Sequence, residues 1–416
     1  MAKQTHASPG HGASGHAAPE TDPAFSELQH TGDPTEFKIP HGSDTKLYDL
    51  IVKNLLQPIP DPRVPGNLVL TLEEVLGSAG ADAVAAIKKA GQIVFHSVGD
   101  TGSTKGPTSQ NMVADKLAND FVGEAASAVP SFLYHLGDVV YSFGEGRFYY
   151  DQFYDAYRNY PAPILAIPGN HDGLVYKGDS LTTLEAFLRN FVTDSPQLAT
   201  DAMGLRRTTM TQPGVYFAFD APFVTIIGLY SNVLEDPGII SSQNGKYPAI
   251  NDEQLAFLTS QLTRVKNADH AVIVAVHHPP YTGGSAHKAS PGLLTDLDAC
   301  CTKAGFWPHA FLSGHAHNYQ RFTRTVGKFD VPYIVCGNSG HNVTPLTKKG
   351  GTPLRTPNKV NNELIFENYD DKNYGYLRIT CDAETLRIEY HDANPDQKTD
   401  SDAVTVDIKS HTMISN

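Results

Sequence analysis

Ile93-Val-Phe-His-Ser-Val-Gly-Asp-Thr-Gly102 (IVFHSVGDTG) decides how this chain is read. A short, mostly apolar run stops at a glycine that lets the backbone reverse, and an acid follows at once. Four further apolar runs end in a comparable way, at a tight turn or directly at an oxygen or imidazole donor. Ser131–Leu136 leads into Gly137-Asp138-Val139-Val140-Tyr141, and Pro163–Ile167 into Gly169-Asn170-His171-Asp172. Ala271–Val276 leads into His277-His278-Pro279, and Ala310–Leu312 into Gly314-His315-Ala316-His317. Apolar runs of this length bounded by Gly, Pro, Asp or His are the pattern of buried strands. In open α/β sheets, ligand sites form where such strands end.

Working outward from these runs, Thr71 and Glu74 form a capping-box pair that predicts a helix through Val75, Ala83 and Ile87 to Gly91. Asn251 and Gln254 predict a second box, with Leu255, Leu258, Leu262 and Val265 as its apolar stripe. Tyr374–Thr380, Thr385–Tyr390 and Ala403–Ile408 alternate apolar and polar residues like antiparallel strands. Residues 1–40 are rich in Gly, Ala, Pro, Ser, Thr and His and lack periodic apolar residues, which predicts a flexible tail. Its His6, His11 and His16 are weak evidence for metal delivery. Residues 41–416 read as one α/β domain of stacked sheets with helices outside.

Composition narrows the function. The 416 residues are 40% hydrophobic and 19% charged, ample for a large core. A net charge of -13 is wrong for neutralising a phosphate backbone, so nucleic acid is not expected as a partner. Cys300, Cys301, Cys336 and Cys381 are too few for a disulfide scaffold and read as reduced, mostly buried thiols. No apolar leader or membrane-length run is visible, so the default expectation is a cytoplasmic chain without membrane contact. A leader removed from a mature form would leave the same pattern, and export stays open.

The donors at the strand ends are Asp100, Asp138, Tyr141, Asn170, His277, His315 and His317. Hard oxygens mixed with imidazoles suit iron, manganese or zinc, and the absence of cysteine disfavours a structural zinc site. Seven donors with one bridging carboxylate make two sites. Two cations roughly 3.5–4 Å apart hold the attacking and leaving oxygens of an in-line displacement at phosphorus.

In this order the motifs resemble those of the calcineurin-like metallophosphoesterases, and one detail narrows the likeness to the purple acid phosphatases. Most of the wider family have histidine two residues after the first Asp, where this chain has Gly102; the purple branch has a Tyr three residues after the second Asp, as Tyr141 is here. The resemblance covers roughly Gly91 to Gly340. It implies a four-layer αββα sandwich, two mixed sheets flanked by helices; the span before Gly91 has too little strand pattern for the additional N-terminal domain of plant members, so the compact single-domain type is the expectation. It implies ferric iron held by Asp100, Asp138, Tyr141 and His317, and ferrous iron, zinc or manganese held by Asp138, Asn170, His277 and His315. The implied activity is hydrolysis of small phosphomonoesters by hydroxide activated at the metals. His171, with His287 as second candidate, would bind phosphate and donate the proton to the leaving group, with Asn170 also facing substrate. Phosphodiester or nucleotide hydrolysis at the same site, and a catalytically idle scaffold, are the competing readings. Where the family often has Tyr-Glu-Arg, this chain has Tyr319-Gln320-Arg321, so a role for a glutamate there is unsupported.

Other residues read as structural. His278 belongs behind the site, and His96 and His135 belong in the core. Tyr149, Phe153 and Tyr157 read as a packed stripe. Arg147, Arg206, Arg207 and Arg321 are candidate phosphate clamps that are more often surface charges. Oligomeric state is not legible.

Overall fold

Alternating side chains send the two faces of each strand into different surroundings, and this builds the layers. The computed structural model describes residues 56–175, 182–284, 286–347, 351–394 and 402–414. The expected tail, with His6, His11 and His16, lies outside them. In chain order the strands are β1 (Val69–Thr71), β2 (Gln92–Val98), β3 (Leu133–His135), β4 (Ile164–Ala166), β5 (Phe217–Ala221), β6 (Val224–Leu229), β7 (Ala271–Val276) and β8 (Ala310–Ser313). They continue as β9 (Tyr319–Val326), β10 (Phe329–Cys336), β11 (Asn358–Lys359), β12 (Leu364–Asp370), β13 (Gly375–Asp382), β14 (Thr385–Asp392), β15 (Asp402–Asp407) and β16 (Thr412–Ile414).

They form a nine-stranded sheet, β1-β5-β6-β7-β8-β10-β9-β12-β11, and a seven-stranded sheet, β16-β15-β14-β13-β2-β3-β4. Both are mixed: β6, β7, β8 and β10 run parallel while β9 returns antiparallel, and β2, β3 and β4 run parallel beside antiparallel β13. Phe95, Phe132, Tyr134 and Leu165 from one sheet and Phe219, Ile226, Ile273 and Leu312 from the other form the buried layer between them. Phe132 stacks on Phe95 at 4.6 Å and meets Phe219 edge-on at 4.9 Å, so aromatic pairs cross the interface. The intervening residues Leu133, Ile164, Val272 and Val274 face outward to pack with the helices, including Val113 and Leu117 of Thr108–Asn119 and Leu258 and Leu262 of Glu253–Val265. This is the α/β architecture of two stacked mixed sheets with helices outside that the sequence predicts.

Two local expectations need correction. The Thr71–Glu74 box forms, but its helix ends at Leu76 because Gly77 turns into positive φ (58°); the chain restarts as Gly80–Ala90. At the second site no capping box forms. The helix begins at Glu253, and Gln254 turns inward to accept from Tyr230 N at 2.9 Å and donate to Tyr230 O at 2.8 Å. A buried amide that ties a strand end outcompetes a cap. The four cysteines are free and buried, as expected. Among the described residues no helix is long and apolar enough to cross a membrane.

Candidate metal centre

β2, β3, β4, β7 and β8 all end at one edge of the stacked sheets, which delivers the five motifs to a common pocket. The turns are tight. Asp100 and Asp138 each have φ 56° and His315 has φ 64°, a region that side chains enter at a cost. Gly137 has φ +99°, and a Cβ there would lie 2.5 Å from Gly169 N, so glycine lets the second and third turns touch.

The structure brings all seven predicted donors together, all buried. Tyr141 Oη lies 3.1 Å from Asp100 Oδ1, 2.8 Å from Asp138 Oδ2 and 3.4 Å from His317 Nε2. Asn170 Oδ1 lies 3.1 Å from both His277 Nε2 and His315 Nδ1. Asp138 Oδ2 is also 3.3 Å from His277 Nε2, so the same oxygen faces both groups. Asp100, Asp138 and His277 offer ligand atoms within 4.8 Å of one another.

Electrostatics say what the donor set accepts. Burial, reinforced by the nearby Asp138 charge, pushes Asp100 up to about 8 even though His277 opposes it. Asp138 goes the other way: burial raises it, but His277 and His171 outweigh that and hold it well below the carboxylate range. His277 rises to about 9 because Asp138 and Asp100 overcome its burial. Burial and both carboxylates raise the Tyr141 phenol far above its ordinary value. Two acids and a phenol crowded into one dry pocket repel in their ionised forms, and multivalent cations would relieve that repulsion. The residues present therefore fit two metal ions.

His171 sits at the rim. Its backbone N donates to Asp138 Oδ1 at 2.9 Å, its Nδ1 lies 2.8 Å from Ser142 O, and its ring is 4.4 Å from that of Tyr141. His287, with φ 47°, brings its ring to 4.6 Å from His317 and 5.0 Å from His315. His278 is behind, its Nδ1 2.7 Å from Ser231 Oγ, and His96 and His135 are satisfied in the core by Asp120 with Tyr160 and by Thr101. Tyr149, Phe153 and Tyr157 are core residues. The arginines are placed elsewhere. Arg321 pairs with Asp402 at 2.7 Å, Arg207 donates to the carbonyls of Tyr157 and Tyr160, and Arg147 sits 3.8 Å from Glu145. Arg206 lines a cavity of about 630 Å³, at the starting end of β4, to which none of the seven donors contributes.

Sequence reasoning missed three residues. Asp172, given no role beyond closing the Gly-Asn-His-Asp motif, accepts backbone N–H groups from Val139 (3.0 Å), Val140 (3.2 Å) and Gly169 (2.8 Å), and so clamps the second turn to the third. His341 stacks on Tyr141 at 3.6 Å and 10°, with Nδ1 2.7 Å from Gly102 O. Glu235, 8% exposed, accepts from Asn170 Nδ2 at 3.3 Å and stands 3.3 Å from His287 Nδ1. Burial raises Glu235, yet its contact with His287 prevails and brings it down to about 2.

Residues 97–319 match the family model of the calcineurin-like phosphoesterases. The fold is similar to a purple acid phosphatase, PPD1, from yellow lupin (Lupinus luteus), with TM-score 0.51 and 17% identity, over 76% of this chain and 54% of that one. The chain thus spans about half the length of the lupin protein. It is also similar to GAP50, the anchor in the inner membrane complex of Plasmodium, with TM-score 0.52 and 18% identity, over 77% of this chain and 91% of that one. No functionally curated protein matches the sequence.

Proposed function

The chain belongs to the calcineurin-like phosphoesterase family, and from that premise we propose that it is a two-metal phosphomonoesterase of the purple acid phosphatase type. One observation carries the narrower reading: Tyr141 Oη sits among Asp100, Asp138 and His317, while the residue two after Asp100 is Gly102, which has no side chain to offer. Asp100, Asp138, Tyr141 and His317 would hold ferric iron, and Asp138, Asn170, His277 and His315 a divalent iron, zinc or manganese. When bound, such ions lower the pKa of coordinated water from 15.7 to about 7 or below and offset phosphoryl charge. Asp138 supplies the shared anion that keeps two cations close. His171, facing the centre from the rim, binds the phosphoryl group and protonates the departing alkoxide, with His287 as its partner.

The anchoring role of GAP50 suggests a scaffold as the rival, and the intact, converging donor set disfavours it, since a scaffold needs no seven aligned ligands. The deciding experiment combines metal analysis and a visible spectrum of protein purified without chelators with turnover of nitrophenyl phosphate and bis-nitrophenyl phosphate. Two metals per chain, a tyrosinate–iron band and preference for the monoester are expected. Preference for the diester would shift the assignment to a phosphodiesterase, and metal-free inactive protein would leave the scaffold.

A further inference from the structure

We propose that Glu235 is a positioning residue that ties the metal-facing amide of Asn170 to the imidazole of His287, and this rests on the phosphoesterase reading above. The loop that follows β6 carries Glu235 inward until it is 8% exposed, beside a pocket that must admit a phosphate anion. A buried carboxylate there opposes substrate charge and is costly unless it organises something.

It touches two functional groups. An amide has one accepting and one donating end, whereas an ionised carboxylate only accepts. Because Glu235 Oε2 faces Asn170 Nδ2 at 3.3 Å, the amide is held with Oδ1 toward His277 and His315, the orientation a cation requires. The reversed amide would set oxygen against oxygen. At its other end Glu235 Oε1 lies 3.3 Å from His287 Nδ1. His287 stands on a loop in left-handed backbone, with its ring against those of His315 and His317. A carboxylate paired at this distance with Nδ1 biases the ring's orientation by ionic attraction and leaves Nε2 for a substrate oxygen, as outer carboxylates do for many site histidines.

The test uses full-length, metal-loaded protein in wild type, Glu235→Gln, Glu235→Ala, His287→Ala and the Glu235→Ala/His287→Ala double variant. Chelator titration of the divalent ion should show a 10–100-fold weaker affinity in Glu235→Ala, the range typical of losing an outer-shell partner, and only about a threefold change in Glu235→Gln, whose Oε1 still accepts from Asn170. On an alkyl phosphate, Glu235→Ala should lower kcat roughly tenfold more than on nitrophenyl phosphate with little change in KM, and the double variant should be no worse than the sum of the metal effect and His287→Ala alone. Glu235→Gln losing metal as severely as Glu235→Ala would make the carboxylate itself a ligand, consistent with Glu235, His287 and His315 atoms lying within 4.8 Å, and would overturn the positioning role. Fully independent kinetic losses with unchanged metal affinity would overturn it too. If wild type hydrolysed no phosphoester, the function above would fail, and the chelator series would still decide whether Glu235 orients Asn170. Glu235→Gln alone carries both comparisons should Glu235→Ala fail to fold.

Discussion

Asp172→Ala removes one carboxylate and leaves the N–H groups of Val139, Val140 and Gly169 facing an apolar methyl. Each buried donor stranded in this way costs about 1–3 kcal/mol, so the gross loss is roughly 3–9 kcal/mol. Part of this is returned. Burial, with Asp138 nearby, pushes Asp172 up to about 7, so the folded state no longer bears the strain of that acid. A net loss of about 3–5 kcal/mol remains, large for a single substitution. Asp172→Asn keeps one acceptor oxygen for Val139 and Val140 but turns an amide donor toward Gly169 N, and should lose about 1–3 kcal/mol. Urea unfolding of both variants, with the slope checked for constancy, measures the difference. Because the clamp joins the turn of Asp138 to that of Asn170, Asp172→Ala should also release metal more readily. A loss below about 1 kcal/mol in Asp172→Ala, or a larger loss in Asp172→Asn than in Asp172→Ala, would refute the clamp.

Tyr141→Phe should abolish the visible tyrosinate–iron band and leave the far-UV circular dichroism unchanged; iron-replete wild type that is colourless when oxidised would count against the purple assignment. Asp138→Ala should lose both metals and nearly all turnover, because cations without a shared anion repel at close range, and two tightly bound metals in that variant would disprove the bridge. His171→Ala should slow an alkyl phosphate about 10²–10⁴-fold and nitrophenyl phosphate less, with metal content unchanged; equal losses on both would reassign His171 to binding. Burial drives His309, which accepts from Val272 N, down to about 3. The unfolded chain binds a proton there below pH ~6.5 while the folded chain does not, so His309 contributes stability above that pH that is lost as pH falls toward 3, at up to ~1.4 kcal/mol per unit. Unfolding titrations between pH 7 and 5 should be flatter in His309→Asn, and identical slopes would refute this.

The seven donors were legible because each lies within a few residues of a strand end, and strand, turn and donor form a local pattern. Glu235 was not, for a physical reason. It lies in the loop after β6 ends at Leu229, where no glycine or proline between the strand and Glu235 marks a turn, and its partner Asn170 is 65 positions away. The clamp made by Asp172 was not legible either, because only Gly169 is near it in sequence while Val139 lies 33 positions away. Arg321 is a candidate phosphate clamp on sequence spacing alone. On β9 it pairs instead with Asp402, 81 positions on and in the other sheet. Contacts between sheets are set by topology, and no local periodicity reports them.

The pairing of Gly102 with Tyr141 has a structural cause as well as a diagnostic value. A Cβ at position 102 would lie 2.5 Å from Gln152 Oε1, 2.7 Å from Val139 O and 3.1 Å from Tyr141 Cδ2. Gln152 is held there because it brackets Tyr141, accepting from its backbone N at 2.9 Å and donating to its backbone O at 2.8 Å. His341 covers the Tyr141 ring and is itself tied to Gly102 O. The phenol is therefore locked into the pocket by the groups that leave no room for a histidine side chain at 102. Moving from one ligand to the other would need Gln152, His341 and both turns to change together, since a packed core resists insertion of even a few atoms. The choice of an aromatic oxygen over an imidazole is thus built into the packing beneath the site, which is why the absence at 102 and the presence at 141 carry one piece of information rather than two.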